Sequence, residues 1–245
     1  MIKHEPALRE QLARNLADHE LFAVPDGEHR RAAVAVVVVD SQQDEVDAPP
    51  VATSEVTVRE MANVPGDLRG FDGSMNSVSG GAAFLLCLRA TTLRRHGGQF
   101  ALPGGRVDPG ESAEETARRE LDEELGLTLA PEAVLGRLDD YVTRSGFVIT
   151  PVVLWVDGDG DQELRPDPAE VAFVHRIGLH QLQRSDSPRY VNIPESERPV
   201  VQLPIGRNLL HAPTGAVMLQ FRWVAMEGQA GRRVNELEQP VFAWK

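Results

Sequence analysis

Ala32–Val39 is eight consecutive apolar residues, AAVAVVVV, bounded by Arg31 and Asp40. The run is too short to cross a bilayer and too β-branched for a comfortable helix, so it reads as a strand buried in a core. A second apolar run, Ala82–Leu88, reads as another buried strand and is the natural neighbour of the first. Ser112–Leu125 is the clearest helix, and Val134–Val142 with Phe147–Val156 reads as a hairpin closed by the turn Thr143–Gly146. Val171–Ile177 reads as a short strand, Leu179–Gln183 as a helical piece, and Tyr190–Ile193 and Val200–Leu203 as strands among Pro-rich loops. Thr214–Met226 is helix-like, with Val217, Phe221 and Val224 on one side. Strands that precede, flank and follow a helix in this order predict the α/β class, a mixed sheet with helices on both faces.

Around that frame, EPALREQLARNLADHELF at 5–22 places Leu8, Leu12, Leu16 and Phe22 near helical spacing. It reads as an amphipathic helix lying on the domain or on a partner chain. We therefore expect a helical extension at 1–30 and a domain at 31–245, interrupted by an insertion at about 40–80. Acids, Pro49-Pro50 and several glycines dominate that insertion, with a strand-like piece at Glu55–Met61. A net charge of −12 disfavours nucleic acid and anionic membranes as partners. The lone cysteine, Cys87, allows no disulfide within the chain, and the charged first thirty residues carry no apolar signal segment, so a cytoplasmic protein is expected.

The stretch GRVDPGESAEETARRELDEELGL, Gly105–Leu127, concentrates the chemistry. It holds Glu111, Glu114, Glu115, Glu120, Asp122, Glu123 and Glu124, answered locally only by Arg106, Arg118 and Arg119. Ser112 and Glu115 are spaced as a capping box, and Gly126 stands where a helix would end. Ala113, Ala117, Leu121 and Leu125 form a stripe for burial, while Glu120 and Glu124 repeat on the adjoining stripe with Glu123 beside them. Divalent cations with a polyphosphate substrate are the natural partners of such a cluster. Glu114, Glu115 and Asp122 read as solvated surface.

The same stretch matches the Nudix box, G-x5-E-x7-R-E-U-x-E-E-x-G-U. Gly105, Glu111, Arg119, Glu120, Leu121, Glu123, Glu124, Gly126 and Leu127 fill its nine specified places. The chain thus resembles the Nudix hydrolases, whose fold is an α/β/α sandwich with a mixed sheet between helices. The resemblance implies Mg²⁺ or Mn²⁺ held by Glu120 and Glu124, with Glu123 as a further ligand or water-orienting group and the carbonyl of Gly104 as another ligand. It implies that Arg119 orients these carboxylates and that Glu111 braces the loop or joins the outer metal shell. The general base varies within the family; Glu123 is the first choice here and Glu170, in DPAEV, the second. Dimerisation is common in the family, and the N-terminal helix is a candidate contributor.

From Asp72 to Asp108 no carboxylate intervenes, in a chain that carries 37. Arg89, Arg94, Arg95, His96 and Arg106 sit there instead, a basic tract suited to a phosphate ester. LLCLRATTLRRHGGQFALPGG, residues 85–105, is similar to the extra signature of coenzyme A pyrophosphatases within the family, LL-x-x-x-R-[SA]-x3-R-x3-G-x3-FPGG. Leu85, Leu86, Arg89, Ala90, Arg94, Gly98, Pro103, Gly104 and Gly105 agree when one intervening position is dropped, and Leu102 replaces the usual phenylalanine. TRSGFVITPVV at 143–153 and DPAEV at 167–171 are also similar to that subfamily, whereas the insertion and APTGAVMLQFRWVAMEG at 212–228 depart from it. The expectation is a metal-dependent pyrophosphohydrolase of a nucleoside diphosphate linked to another moiety. CoA or acyl-CoA, cut to phosphopantetheine and 3′,5′-ADP, is favoured, with Arg89, Arg94, Gly98 and Arg106 as substrate-binding residues. ADP-ribose, NADH or another dinucleotide is the alternative; a nucleotide-binding regulator that does not cut its ligand is the reading from a different class.

Overall fold

The computed structural model describes residues 1–27, 29–42, 64–93, 97–158 and 163–244. The strand expected at Glu55–Met61, most of the expected insertion, and Arg94, Arg95 and His96 lie outside them.

The apolar run becomes the middle of β1 (Arg30–Ser41), the strand on which the sheet is built. It pairs antiparallel with β2 (Gly81–Arg89) and parallel with β7 (Phe147–Trp155), which makes the sheet mixed. β3 (Phe100–Ala101), β2, β1, β7 and β5 (Val134–Arg137) follow in that order across it. The short β4 (Gly104–Arg106) pairs with β1, β6 (Tyr141–Val142) with β7, and β8 (Val171–Gly178) with β2.

Alternation along β1 explains why both faces must be covered. Ala33, Ala35, Val37 and Val39 meet Ala117, Leu121 and Leu125 of helix α2 (Ala113–Leu125) on one face. Val36 and Val38 point the other way, into a larger core with Leu12 and Leu16 of α1 (Pro6–Ala17) and with Met218 and Phe221. The three-layer arrangement expected from the order of elements is the one observed. Helix α1 lies on this chain's own core, where Leu8, Leu12 and Leu16 are buried. From the expected insertion, Met75 and Val78 also enter that core.

Three boundaries differ from expectation. The N-terminal helix ends at Ala17 rather than at Phe22, whose amide instead donates to Asp139 Oδ1 at 2.7 Å and whose ring is exposed. The strand expected over Val134–Val142 is broken between Arg137 and Tyr141, because Asp139 and Asp140 are buried there as acceptors. Asp139 receives His19, Arg233 and Gln220; Asp140 receives the Val24 amide, Arg31 and Thr150. The last expected helix starts as α3 (Thr214–Gln220) and widens into a π-helical turn over Phe221–Met226. Beyond the main sheet, β9 (Arg189–Ile193), β10 (Ser196–Ile205) and β11 (Asn208–His211) form a separate three-stranded antiparallel sheet.

Candidate active site

Helix α2 begins as its sequence requires. The Ser112 side chain accepts from the Glu115 amide while Glu115 reaches back to the Ser112 amide, and Gly126 closes the helix in the left-handed conformation at φ 65°. Fixing both ends fixes which side chains face β4, and those are Glu120 and Glu124.

β4 is clipped to the first half of β1, with Val34 opposite Gly104 and Ala33 opposite Gly105. Both glycines are required. Gly104 has φ 153°, and a Cβ there would lie 2.3 Å from the Ala33 carbonyl oxygen. A Cβ on Gly105 would lie 2.3 Å from Glu120 Oε1. The bare backbone therefore lets the two carboxylates come up against the strand. The Gly104 amide donates to Glu124 Oε2 at 3.2 Å.

Arg119 organises the acids around this pair. It donates to both oxygens of Glu111, at 2.8 and 3.0 Å, and its Nη1 reaches Glu120 at 2.8 Å and Glu123 at 3.0 Å. Its Nη2 also donates to the Arg106 carbonyl at 3.1 Å. Glu111 is saturated: besides Arg119 it accepts from Thr116 Oγ1 at 2.8 Å, and these bonds hold its pKa down at about 2. Glu123 is tied to Arg119 yet largely exposed.

Glu124 is in the opposite condition. Only 3% exposed, it is pushed up to about 7 by desolvation, against the pull of Arg89, whose Nη1 stands 3.6 Å from its Oε1. Desolvation also raises Glu120, against Arg119. Glu170 is exposed but close enough that its charge raises both. The loop carrying it is docked on the end of α2 by Arg165 N to Leu125 O and Asp167 N to Glu124 O, at 2.7 and 2.9 Å. The Glu170 carbonyl in turn accepts from the Ala90 amide at 2.8 Å.

Two carboxylates whose pKa values desolvation raises, Glu120 bonded to Arg119 and Glu124 with Arg89 3.6 Å away, form a hard oxygen donor set. That chemistry fits a divalent cation. Among the described residues no three His, Cys, Asp or Glu side chains converge on a closed ligand cage. An open site of one or two carboxylates that is completed by substrate phosphates is the usual arrangement for Mg²⁺.

Beside this pair opens a cavity of about 460 Å³. Arg89, Gly104, Gly105 and Arg106 are among the residues that line it, and no carboxylate is among its described lining residues. Of the expected substrate-binding residues, Arg89 and Arg106 thus reach the cavity. Gly98 does not; it sits in the β2–β3 connection, where its amide donates to the Arg89 carbonyl at 2.9 Å. The sequence reading assigned no substrate-binding role to the other lining residues, among them Thr143, Ser145 and Phe147 from the hairpin, and Asn208–Thr214, Gln239, Phe242 and Ala243 from the C-terminal fifth of the chain, although 212–228 stood out as departing from the subfamily. TRSG at 143–146 was one available signal, read as a turn and as the start of a stretch similar to the coenzyme A subfamily.

This geometry meets an independent finding: the family model described as the NUDIX domain matches residues 75–195. Those residues are a Nudix domain. "Nudix hydrolase 3" of Caenorhabditis elegans is 38% identical over 108 residues, 43% of this chain and 45% of that protein. "Uncharacterized Nudix hydrolase NudL" of Photorhabdus laumondii is 37% identical over 111 residues, 44% of this chain and 58% of that one. The chain spans about half the length of the curated relatives it matches. Among solved structures, a MutT/nudix family protein from Enterococcus faecalis aligns over 76% of this chain and 56% of that one, with 16% identity and a TM-score of 0.43. The Nudix domain contains α2, β4, Arg89 and Glu170, while β1 and the C-terminal wall of the cavity lie outside the matched residues. Among the described residues no helix is long and apolar enough to cross a membrane.

Proposed function

We propose that this protein hydrolyses a pyrophosphate bond in a nucleoside diphosphate joined to another moiety, with CoA or acyl-CoA as the preferred substrate, giving phosphopantetheine and 3′,5′-ADP. The observation that carries this reading is the pair Glu120, half-buried, and Glu124, buried, set against Gly105, Gly104 and Arg89, which line a carboxylate-free cavity that also presents Arg106.

When bound, Mg²⁺ or Mn²⁺ neutralises non-bridging phosphate oxygens and makes a coordinated water nucleophilic. Glu120 and Glu124 would hold the ion, joined by the Gly104 carbonyl. Arg119 and Glu111 are positioning residues: their bidentate pair fixes the guanidinium that in turn holds Glu120 and Glu123. Glu123 takes a proton from the attacking water; Glu170, which faces the pair from the docked loop, is the second candidate for that role. The water oxygen bonds to one phosphorus as the anhydride P–O bond breaks, and the other phosphate leaves with the electron pair. Arg89 and Arg106 receive the phosphates, and Arg94 belongs with them by its place in the signature. The working domain is 31–245, with 1–30 as a helical extension and 40–80 as an insertion, in a cytoplasmic setting that suits the buried free thiol of Cys87.

The test is turnover of CoA, acetyl-CoA, NADH and ADP-ribose with Mg²⁺ or Mn²⁺, by wild type and Glu124→Gln. We expect CoA to be cleaved by wild type and turnover to be lost in the variant, with its melting temperature kept. Full activity in Glu124→Gln sinks the metal assignment. Cleavage of ADP-ribose or NADH with CoA untouched moves the substrate to a dinucleotide, and binding without cleavage favours a regulator.

A further inference from the structure

Among the cavity's described lining residues only Arg89 and Arg106 are charged. Much of the remaining lining comes from Asn208–Thr214 and from Gln239, Phe242 and Ala243, outside the Nudix-matched residues. Leu209, Leu210, Phe242 and Ala243 supply apolar surface there, and Phe100, Leu102 and Ile149 supply more from the main sheet. The polar groups on this side are neutral. Asn208 is spent on the Gly73 carbonyl and the Leu209 amide, and Gln239 Oε1 accepts from the Arg144 amide at 2.7 Å. His211 stands edge-on to the Phe242 ring at 5.5 Å, and desolvation lowers its pKa to about 4, so at neutral pH it carries no charge.

The segment carrying Phe242 is strapped down from both sides. Arg144, in the hairpin turn between Thr143 and Ser145 that themselves line the cavity, forms a bidentate pair with the buried carboxylate of Glu238. Its guanidinium lies over the Trp244 ring, 4.9 Å from the centroid. Glu238 also accepts from Ser196 Oγ at 2.8 Å, Tyr141 donates its hydroxyl to the Leu237 carbonyl at 2.8 Å, and Trp244 Nε1 donates to the Gln239 carbonyl at 2.8 Å. A strap fastened by this many partners is a preformed wall rather than a fraying terminus.

We infer that the wall formed by Asn208–Thr214 with Gln239, Phe242 and Ala243, Phe242 being its aromatic contact, receives the uncharged, mainly apolar group joined to the diphosphate and selects for it. Arg144 and Glu238 are the positioning residues that hold this wall against the hairpin. The inference rests on the pyrophosphatase reading for the orientation of the substrate. It gives the substrate class a shape: phosphates toward the arginines, and an uncharged chain, rather than a hydroxyl-rich sugar, toward Phe242.

The experiment measures dissociation constants for hexanoyl-CoA, CoA and ADP-ribose by calorimetry in EDTA, so that nothing is turned over, using the full chain, Phe242→Ala and Glu238→Ala. Wild type should bind hexanoyl-CoA most tightly and ADP-ribose least. In Phe242→Ala the preference for hexanoyl-CoA over ADP-ribose should fall by about tenfold, the usual scale for truncating an aromatic contact. Glu238→Ala should erode the same preference, a change in selectivity that loss of stability alone does not produce. Phe242→Leu, which keeps apolar volume, should restore most of it. An unchanged preference in both alanine variants, or a uniform loss for all three ligands, overturns the inference. If the preferences behave as expected but no ligand is cleaved with Mg²⁺ or Mn²⁺, the wall stands and the pyrophosphatase reading falls.

Discussion

Gly105→Ala is the most discriminating perturbation of the metal side, because its effect reaches a single side chain. The added Cβ would stand 2.3 Å from Glu120 Oε1, 2.4 Å from Cδ and 2.6 Å from Oε2, and no other atom is as close. The backbone at Gly105 is not left-handed, so the substitution adds no strain of its own. Relief comes only from the Glu120 carboxylate, which has to retreat by about 1 Å to reach ordinary contact. Displacing a catalytic group by ~1 Å costs on the order of a hundredfold in rate, about 3 kcal/mol in the barrier. Stability should change by no more than about 1 kcal/mol, because Glu120 is a flexible side chain and its bond to Arg119 is only partly lost. The assay pairs steady-state kinetics with thermal melting, and Gly27→Ala, whose Cβ would meet nothing within 4 Å, is the control. In a Glu120→Ala background there is no carboxylate to push, so Gly105→Ala should add nothing there. Full activity in Gly105→Ala would refute the placement of Glu120 at the reacting centre. An equal loss in the Glu120→Ala background would show that the glycine acts by another route.

Two further outcomes follow from Arg119 and from the buried His175. Arg119→Lys keeps the charge but cannot span Glu111, Glu120 and Glu123 at once; kcat should fall at least about tenfold with KM little changed, and the melting temperature by about 2–4 °C. Kinetics and a melt on one preparation check both. His175, packed between Phe100 and Phe173 with neither ring nitrogen hydrogen-bonded, has its pKa lowered to about 4 by desolvation. Because the unfolded chain takes up that proton near pH 6.5, this group's contribution is intact above about pH 6.5 and is lost as pH falls through 4, about 3 kcal/mol in all. Urea unfolding at pH 7 and pH 4 should show wild type losing about that much more stability than His175→Leu; parallel losses would refute the assignment.

The two sides of the site differ in how far the sequence discloses them, and the reason is physical. The spacing of Glu120 and Glu124, the capping box at Ser112 and Glu115, and the stop at Gly126 are all helix-local, so a 3.6-residue period and hydrogen-bonding rules expose them without knowledge of the fold. The all-apolar middle of β1 was legible for a similar reason: only burial on both faces tolerates it. The broken strand at Leu138–Asp140 was not, because its cause is a set of distant partners, Gln220 and Arg233 among them, drawn to Asp139 and invisible to any window of sequence. Phe242 is the extreme case. Its place at the cavity depends on Arg144 meeting Glu238, 94 positions away, and on β11 setting His211 beside it.

That difference in origin bears on how such a site can change its substrate. The carboxylate pair, Arg119 and the two glycines constrain one another so tightly that almost any substitution among them moves Glu120 or Glu124. The far wall is constrained differently: its strap is fixed by Glu238, Gln239 and Trp244, whereas Phe242 contributes an aromatic face to the cavity without holding the strap in place. Changes at Phe242, Thr214 or Val217 would thus alter the cavity's shape while leaving the helix, its caps and the β1–β4 register untouched. A chain organised in this way separates the chemistry from the choice of what is cut. On the proposed function the chemistry would lie in the Nudix-matched residues, while much of the wall that would choose the substrate lies beyond them.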